Sequence, residues 1–326
     1  MISARRCRVW SQSAEGGDRL ERRRRIAAYG LCRDASDRVL LVRATTDGTN
    51  AGRWFLPGGG IEHGEHPQDA VVREFEEETG LRVAVERIRD VMTDIEYLPD
   101  VPAMRHHDRV IFDVKVICGE LRDERGGSTD HAAWVTADAL AGLPLMPYVA
   151  RVLELTSPDD MTDIGIPLET AAGGRETVPA RRQRFAAYGL VTDMEGNVLL
   201  TLIADGYPGA GRWHLPGGGT DFGEGAVDGL LREVVEETNQ RAQIAGLINV
   251  SHRHHRNVVG PEGVPIDWHG VRVVFRARVD TPTPPLVMDS GGSTAEASWF
   301  SPAQARSLPL TEIAHDMISQ QLHHPA

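Results

Sequence analysis

One stretch of this chain occurs twice, and that repeat constrains the fold more than any other feature. Residues 56–81 read LPGGGIEHGEHPQDAVVREFEEETGL, and residues 215–240 read LPGGGTDFGEGAVDGLLREVVEETNQ. The offset of 159 residues (Gly59 to Gly218) also holds upstream. Ala27-Ala28-Tyr29-Gly30-Leu31 returns as Ala186-Ala187-Tyr188-Gly189-Leu190, and Gly52-Arg53-Trp54 as Gly211-Arg212-Trp213. Downstream, Gly126-Gly127-Ser128-Thr129 and Trp134 recur as Gly291-Gly292-Ser293-Thr294 and Trp299 at an offset of 165, a net insertion of six residues (165 − 159) in the second copy. A repeat this long is a duplicated domain rather than a solenoid unit, and 326 residues suit about two domains.

In the first copy, Gly58, Gly59 and Gly60 follow the apolar run Trp54–Pro57 and read as a glycine turn. An acidic turn then ends at Glu65. Pro67 suits the first turn of a helix, Val71, Val72, Phe75 and Thr79 keep helical spacing, and Gly80 is a natural left-handed stop. Glu74, Glu77 and Glu78 stand at i, i+3 and i+4, which puts their carboxylates on one helix face. Most Glu-rich helices merely present a solvated face, and such faces intersperse Lys or Arg. Here a single Arg73 stands among the carboxylates, behind a glycine turn. Hard oxygen donors clustered in this way suit a hard divalent cation, Mg²⁺ with Mn²⁺ as the alternative.

The spacing Gly59, Glu65, Arg73-Glu74-Phe75, Glu77-Glu78, Gly80-Leu81 resembles the Nudix box, the signature of the Nudix hydrolases, which cleave nucleoside diphosphates linked to another moiety. The resemblance implies an α/β fold of two tandem Nudix α/β/α sandwich domains with mixed β-sheets. It implies metal binding by Glu74, Glu77 and Glu78, joined by a backbone carbonyl at Gly58. The matching set in the second copy is Glu233, Glu236, Glu237 and Gly217. Glu65 and Arg73, and likewise Glu224 and Arg232, are expected to brace loop and helix, and with Glu74, Glu77, Glu233 and Glu236 they form the candidate catalytic set. The general base stays open between a box glutamate and an outside acid. Asp94, Glu96, Asp100 and Asp108 are the loop candidates in the first copy, and Glu262 and Asp267 in the second, although such acids more often serve only the surface. The substrate is a small nucleotide: a nucleotide sugar, ADP-ribose, an oxidised nucleoside triphosphate or a dinucleoside polyphosphate. The rivals are a Nudix-derived sensor that binds without cleaving, a pair with one catalytic domain and one scaffold, and, more weakly, a diphosphate isomerase.

The second copy departs from the pattern at Asn239 and Gln240, which replace glycine and an apolar residue. Asn still permits a left-handed helix end. Gly229, where the first copy has Ala70, costs about 1 kcal/mol of helix propensity. No candidate ligand is lost.

Boundaries follow from the repeat: a first domain over 1–156 with an Arg-rich arm at 1–25, a linker over 157–180, and a second domain over 181–326, the two packing as a pseudo-dimer. The arm reads as a solvated, poorly ordered terminus in preference to a nucleotide- or nucleic-acid-binding segment. Ile26–Leu31 and Val39–Arg43 read as paired strands across the Asp34–Asp37 turn. Strands are also expected from Val83, over Val110–Ile117 and at Ala133–Val135, with closing helices at Pro147–Leu155 and about Thr311–Leu322. Strands and helices so mixed suggest a sheet covered on both faces. Net charge of −12 speaks against a stable nucleic-acid partner. No apolar stretch long enough for a signal peptide or a membrane span follows Arg-rich 1–25, and Cys7, Cys32 and Cys118 keep no redox or metal spacing, which fits a cytoplasmic protein. The histidines and arginines of 252–269 read as a surface loop, next as a loop contacting substrate, and last as a zinc site, since neither cysteine partners nor a helical histidine pair accompany them. Trp54 and Trp213 suit a core more than base stacking.

Overall fold

The computed structural model describes residues 20–46, 50–98, 101–155, 180–259, 265–289 and 291–322. One compact unit gathers the described residues up to Gln183 together with His252–His269; the other gathers Arg184–Ser251 and the described residues from Gly270 on. The expected linker lies, but for Ala180, outside the described residues. Among the described residues no helix is long and apolar enough to cross a membrane.

The first copy runs β1 (Glu21–Cys32), β2 (Val39–Ala44), β3 (Trp54–Phe55), β4 (Gly58–Gly60), α1 (Pro67–Thr79), β5 (Leu81–Leu98), β6 (Ala103–Gly119), β7 (Thr129–Val135), α2 (Ala137–Leu140) and α3 (Pro147–Val152). One sheet has the order β4-β1-β6-β5 and a smaller one β3-β2-β7. The first is mixed, because β1 runs parallel to β6 while β4 and β5 join antiparallel. Along β1 the side chains alternate. Ala27, Tyr29 and Leu31 enter an apolar cluster with Leu41, Trp54, Leu56, Tyr148, Val149 and Val152. The opposite face meets α1: a Cβ on Gly30 would lie 2.4 Å from Phe75, whose ring is fully buried. That burial is worth about 1.5–3 kcal/mol. Helices therefore cover both faces of β1.

The second copy repeats this order: β8 (Ala180–Thr192), β9 (Val198–Ile203), β10 (Trp213–His214), β11 (Gly217–Gly219), α4 (Ala226–Thr238), β12 (Gln243–Val259), β13 (Pro265–Arg278), β14 (Thr294–Phe300), α5 (Pro302–Ser307) and α6 (Glu312–Gln321). Its strands form one sheet, β10-β9-β8-β13-β12, with β11 on β8 and β14 on β9. Leu190, Leu200, Trp213, Leu215, Ile313 and Met317 build the core on the α6 side, while Gly189 faces Leu230 of α4. Both tryptophans at the strand–turn junctions are core residues. The α/β fold of two halves with the same element order is the one anticipated.

Three local expectations are corrected. The glycine turn is a short strand: Gly58, Gly59 and Gly60 pair with Tyr29, Ala28 and Ala27, and Gly217–Gly219 do the same on β8. β1 and β2 do not form a hairpin ladder. The side chain of Asp34 accepts from the Ser36 and Arg38 amides to close the turn, a single bridge joins Arg33 to Val39, and β2 then enters the smaller sheet. Finally, Arg22–Arg25 belong to β1, paired with β6 from Met104 to His107, instead of to a loose arm; residues 1–19 lie outside the described set.

Candidate active site

The local sequence starts and stops α1 sharply. His66 accepts from the Gln68 amide at 3.1 Å as the N-cap, Pro67 occupies the first turn, and Gly80 closes the helix at φ 71°. This aims Arg73 at the loop before it. Its Nε and Nη2 donate to the two oxygens of Glu65 at 2.9 and 3.0 Å, a planar fork on a carboxylate. Nη2 also donates to the Gly60 carbonyl at 3.1 Å, and Nη1 to Glu74 at 2.8 Å and Glu77 at 3.1 Å. One guanidinium thus ties β4, the acidic turn and the helix together.

The three glutamates do not share one environment. Glu77 is half exposed, Glu74 mostly covered and Glu78 buried at 2% exposure. Glu78 accepts from the Gly58 amide at 2.8 Å. Gly58, at φ 141°, would drive a Cβ into Ala28 and Tyr29, and a Cβ on Gly59 would lie 2.7 Å from the Glu74 carboxylate. Glycine at both places is what lets β4 lie flat between β1 and the carboxylates. Burial pushes Glu74 up despite Arg73, and burial lifts Glu78 well above the usual carboxylate range despite the Gly58 amide. Glu65 goes the other way: burial opposes it, but Arg73 and the Glu62 amide hold it below that range.

The second copy reproduces this arrangement atom for atom. Arg232 donates to Glu224 at 2.8 and 3.0 Å, to Glu233 at 3.0 Å, to Glu236 at 3.1 Å and to the Gly219 carbonyl at 3.2 Å. Glu237 accepts from the Gly217 amide at 2.9 Å and from the Thr294 hydroxyl at 2.5 Å. Burial raises Glu237 to about 7 despite these two donors, and burial raises Glu233 as well. Asn239 closes α4 at φ 56°.

A family model described as NUDIX domain matches residues 22–155 and 182–321. The chain belongs to the Nudix family. Among similar proteins, a MutT-like protein of Streptomyces ambofaciens is 29% identical over 48% of this chain and 88% of its own length. An ADP-ribose pyrophosphatase of Methanocaldococcus jannaschii is 34% identical over 30% of this chain and 54% of its own length, and an 8-oxo-dGTP diphosphatase of Escherichia coli K12 is 41% identical over 17% and 42%. This chain thus spans about half the length of those two relatives. The crystal structure of a MutT protein from Methanosarcina mazei Go1 aligns with 42% of this chain and 95% of its own at 25% identity and a TM-score of 0.36.

Each Nudix box therefore has its named residues in one place: Glu65, Arg73, Glu74, Glu77 and Glu78 beside Gly58, and Glu224, Arg232, Glu233, Glu236 and Glu237 beside Gly217. The described outside acids are strand residues, not loop residues. Asp94, Glu96 and Asp108 stand on β5 and β6, each committed to a cation or imidazole: Asp94 to Arg109, Glu96 to His107 at 3.0 Å, and fully buried Asp108 to Arg24 at 2.6 Å and His106 at 3.1 Å. Asp267 is held by His254 at 2.7 Å. Asp100 and Glu262 lie outside the described residues.

Gly229 is no mere defect of α4. A Cβ there would lie 2.8 Å from Thr220 Cγ2 and 3.0 Å from Glu224 Oε2, so glycine makes room for the brace. Arg25 and Arg184 were not anticipated. A Cβ on Gly60 would come within 3.6 Å of the Arg25 guanidinium, one on Gly219 would collide with Arg184, and the two arginines draw Glu74 and Glu233 downward. The repeat carried the signal, because Arg181-Arg182-Gln183-Arg184-Phe185 follows Arg22-Arg23-Arg24-Arg25-Ile26 at the same offset of 159. Thr294 was also missed, and its partner Thr129 would have misled: that hydroxyl donates to Glu124 at 2.9 Å instead of to Glu78.

Proposed function

We propose that this chain hydrolyses a diphosphate linkage in a small nucleoside diphosphate derivative, with Mg²⁺, or Mn²⁺ in its place, at each box. The observation that carries the reading is that both boxes are complete, each with three carboxylates and one Arg–Glu brace. The donor set fits the ion. It consists of carboxylate oxygens, and burial already lifts Glu74, Glu78, Glu233 and Glu237, so a bound cation is what would keep them ionised together. Glu74, Glu77 and Glu78, with the Gly58 carbonyl, would hold it in the first box, and Glu233, Glu236 and Glu237, with the Gly217 carbonyl, in the second. Such an ion supplies activation of water and neutralisation of the diphosphate. Arg73 and Arg232 fix the carboxylates and exclude alternative rotamers. Glu77 and Glu236 reach solvent and are placed to accept a proton from water. Arg25 and Arg184 suit a phosphate oxygen.

The same reading divides the chain at a linker over 157–180, with domains over 1–156 and 181–326, and places a cytoplasmic enzyme with free cysteines, Cys32 and Cys118 among them. The names of the relatives support ADP-ribose and oxidised nucleoside triphosphates as the substrates to try first. The test is a panel of nucleotide sugars, ADP-ribose, 8-oxo-dGTP and dinucleoside polyphosphates with either metal, followed by product identification. Turnover to a nucleoside monophosphate or pyrophosphate supports the proposal. Tight binding without turnover across the panel favours a nucleotide sensor instead.

A further inference from the structure

The first box loop carries histidines that the second lacks. His63 and His66 stand where the second copy has Phe222 and Gly225. Within the unit that holds both the first copy and His252–His269, these side chains meet the histidines of the β12–β13 hairpin. Asp267 Oδ1 lies 2.7 Å from His254 Nε2 and 3.2 Å from His63 Nε2, and the three atoms fall within 4.8 Å of one another. His63 Nε2 is buried and makes no hydrogen bond, so its place beside Asp267 is adjacency without a bond. Its ring stands edge-on to His254 with centroids 5.1 Å apart.

Two further features show a built site. Gly64, at φ 88°, lies so close to the hairpin that a Cβ would sit 2.6 Å from His254 Nδ1. The matching Gly223 keeps the same conformation, at φ 89°, but a Cβ there would meet no atom within 4 Å. Glycine thus admits an imidazole in one loop only. Behind the three atoms, His269 is buried with its nitrogens engaged, Nδ1 by the Gln183 amide at 3.1 Å and Nε2 by His252 at 3.3 Å.

We propose that His63, His254 and Asp267 form a zinc site, each giving one atom, with water as the fourth ligand. Two imidazole nitrogens and a carboxylate oxygen are donors that zinc accepts in tetrahedral geometry. At bond lengths of about 2.0–2.1 Å, tetrahedral ligands stand about 3.3 Å apart, near the 2.7 and 3.2 Å separations from Asp267. The three side chains are 13–19% exposed, which leaves water a way in. Zinc there ties the hairpin to the loop that carries Glu65, two residues beyond His63, and so stiffens the brace of the first box alone. The site does not depend on the chemistry proposed for the boxes.

The test uses the full chain without an affinity tag, stripped with chelator and re-equilibrated with Zn²⁺. Zinc is counted by elemental analysis, and Co²⁺ in its place reports tetrahedral geometry by its visible absorption. The variants are H63F, which copies Phe222 of the second box, H254Q and D267N, each checked for folding by circular dichroism in chelator. The double variant E77Q/E236Q separates this site from the boxes. The proposal expects one zinc per chain in the native protein, retained in E77Q/E236Q, and affinity at least about tenfold weaker in every one of the three ligand variants. Zinc content unchanged in H63F and D267N overturns it, as does zinc that disappears with E77Q/E236Q, and so does the absence of zinc from the native chain.

Discussion

Gly229→Ala opposes two effects of known size. In an exposed helix interior the change would stabilise by about 1 kcal/mol, since glycine costs that much propensity. Here the new Cβ meets Thr220 Cγ2 at 2.8 Å and Glu224 Oε2 at 3.0 Å, well inside the 3.5–4.0 Å of an ordinary carbon contact. Glu224 cannot swing aside freely, because Arg232 holds it at 2.8 and 3.0 Å and the Asp221 amide at 2.9 Å. Overpacking of this kind costs about 1–3 kcal/mol, and losing one charge-assisted bond of the brace about 1.5–3 kcal/mol. The losses outweigh the gain, for a net destabilisation of about 1.5–5 kcal/mol. The reverse change, Ala70→Gly in α1, loses propensity and a fully buried methyl, about 2 kcal/mol together. Both substitutions should therefore destabilise. Hydrogen exchange by mass spectrometry on the α1 and α4 peptides reads each helix separately. Slower exchange of α4 in G229A would show that propensity wins and that the packing argument is wrong.

Other consequences follow from the same geometry. Glu237 is raised to about 7, mainly by burial, so without metal the folded state keeps a proton that the unfolded chain releases near 4.5. Stability of the metal-free second copy should then fall by about 3 kcal/mol as pH rises from 4.5 to 7, whereas cation affinity should rise over the same interval and level off above it; titration calorimetry in two buffers should detect proton release at pH 6 and little at pH 8. Thr294→Val removes a hydroxyl that lowers Glu237 and should move that leveling point to higher pH, while Thr129→Val should leave the first box's profile in place. Gly80→Ala forces a side chain into φ 71° against Arg122 and should cost more than 1 kcal/mol in thermal unfolding, at least about the glycine-to-alanine penalty for an incompatible backbone; Asn239→Gly should be close to neutral.

Much of the site was legible because its chemistry is local. The i, i+3, i+4 spacing of the glutamates, Arg73 among them, and the caps at Pro67 and Gly80 need no long-range information, and all of them fall where helix geometry puts them. The fold class came through the repeat and through alternation in strands such as β6. What failed depended on partners distant in sequence. Nothing in Gly58–Gly60 says that β1 will pair with it, so a strand read as a turn. Arg22–Arg25 look solvated until the parallel partner β6 and its buried Asp108 are known. Gly229 looks like a flaw until Glu224 is seen against it, and His63 and Asp267 look unrelated across 204 positions (267 − 63) until the hairpin brings them to 3.2 Å.

The central claim is that both boxes are working metal sites. Its most direct measurement is turnover by Glu77→Gln, Glu236→Gln and the double variant on whichever substrate the panel yields, at saturating Mg²⁺. Each change removes one carboxylate that Arg73 or Arg232 holds at 3.1 Å and leaves the rest of its box in place. Two working sites predict partial loss in each single variant, or loss of different substrates, and abolition in the double. Complete loss in one single variant with full activity in the other would contradict it, as would a double variant that still turns over.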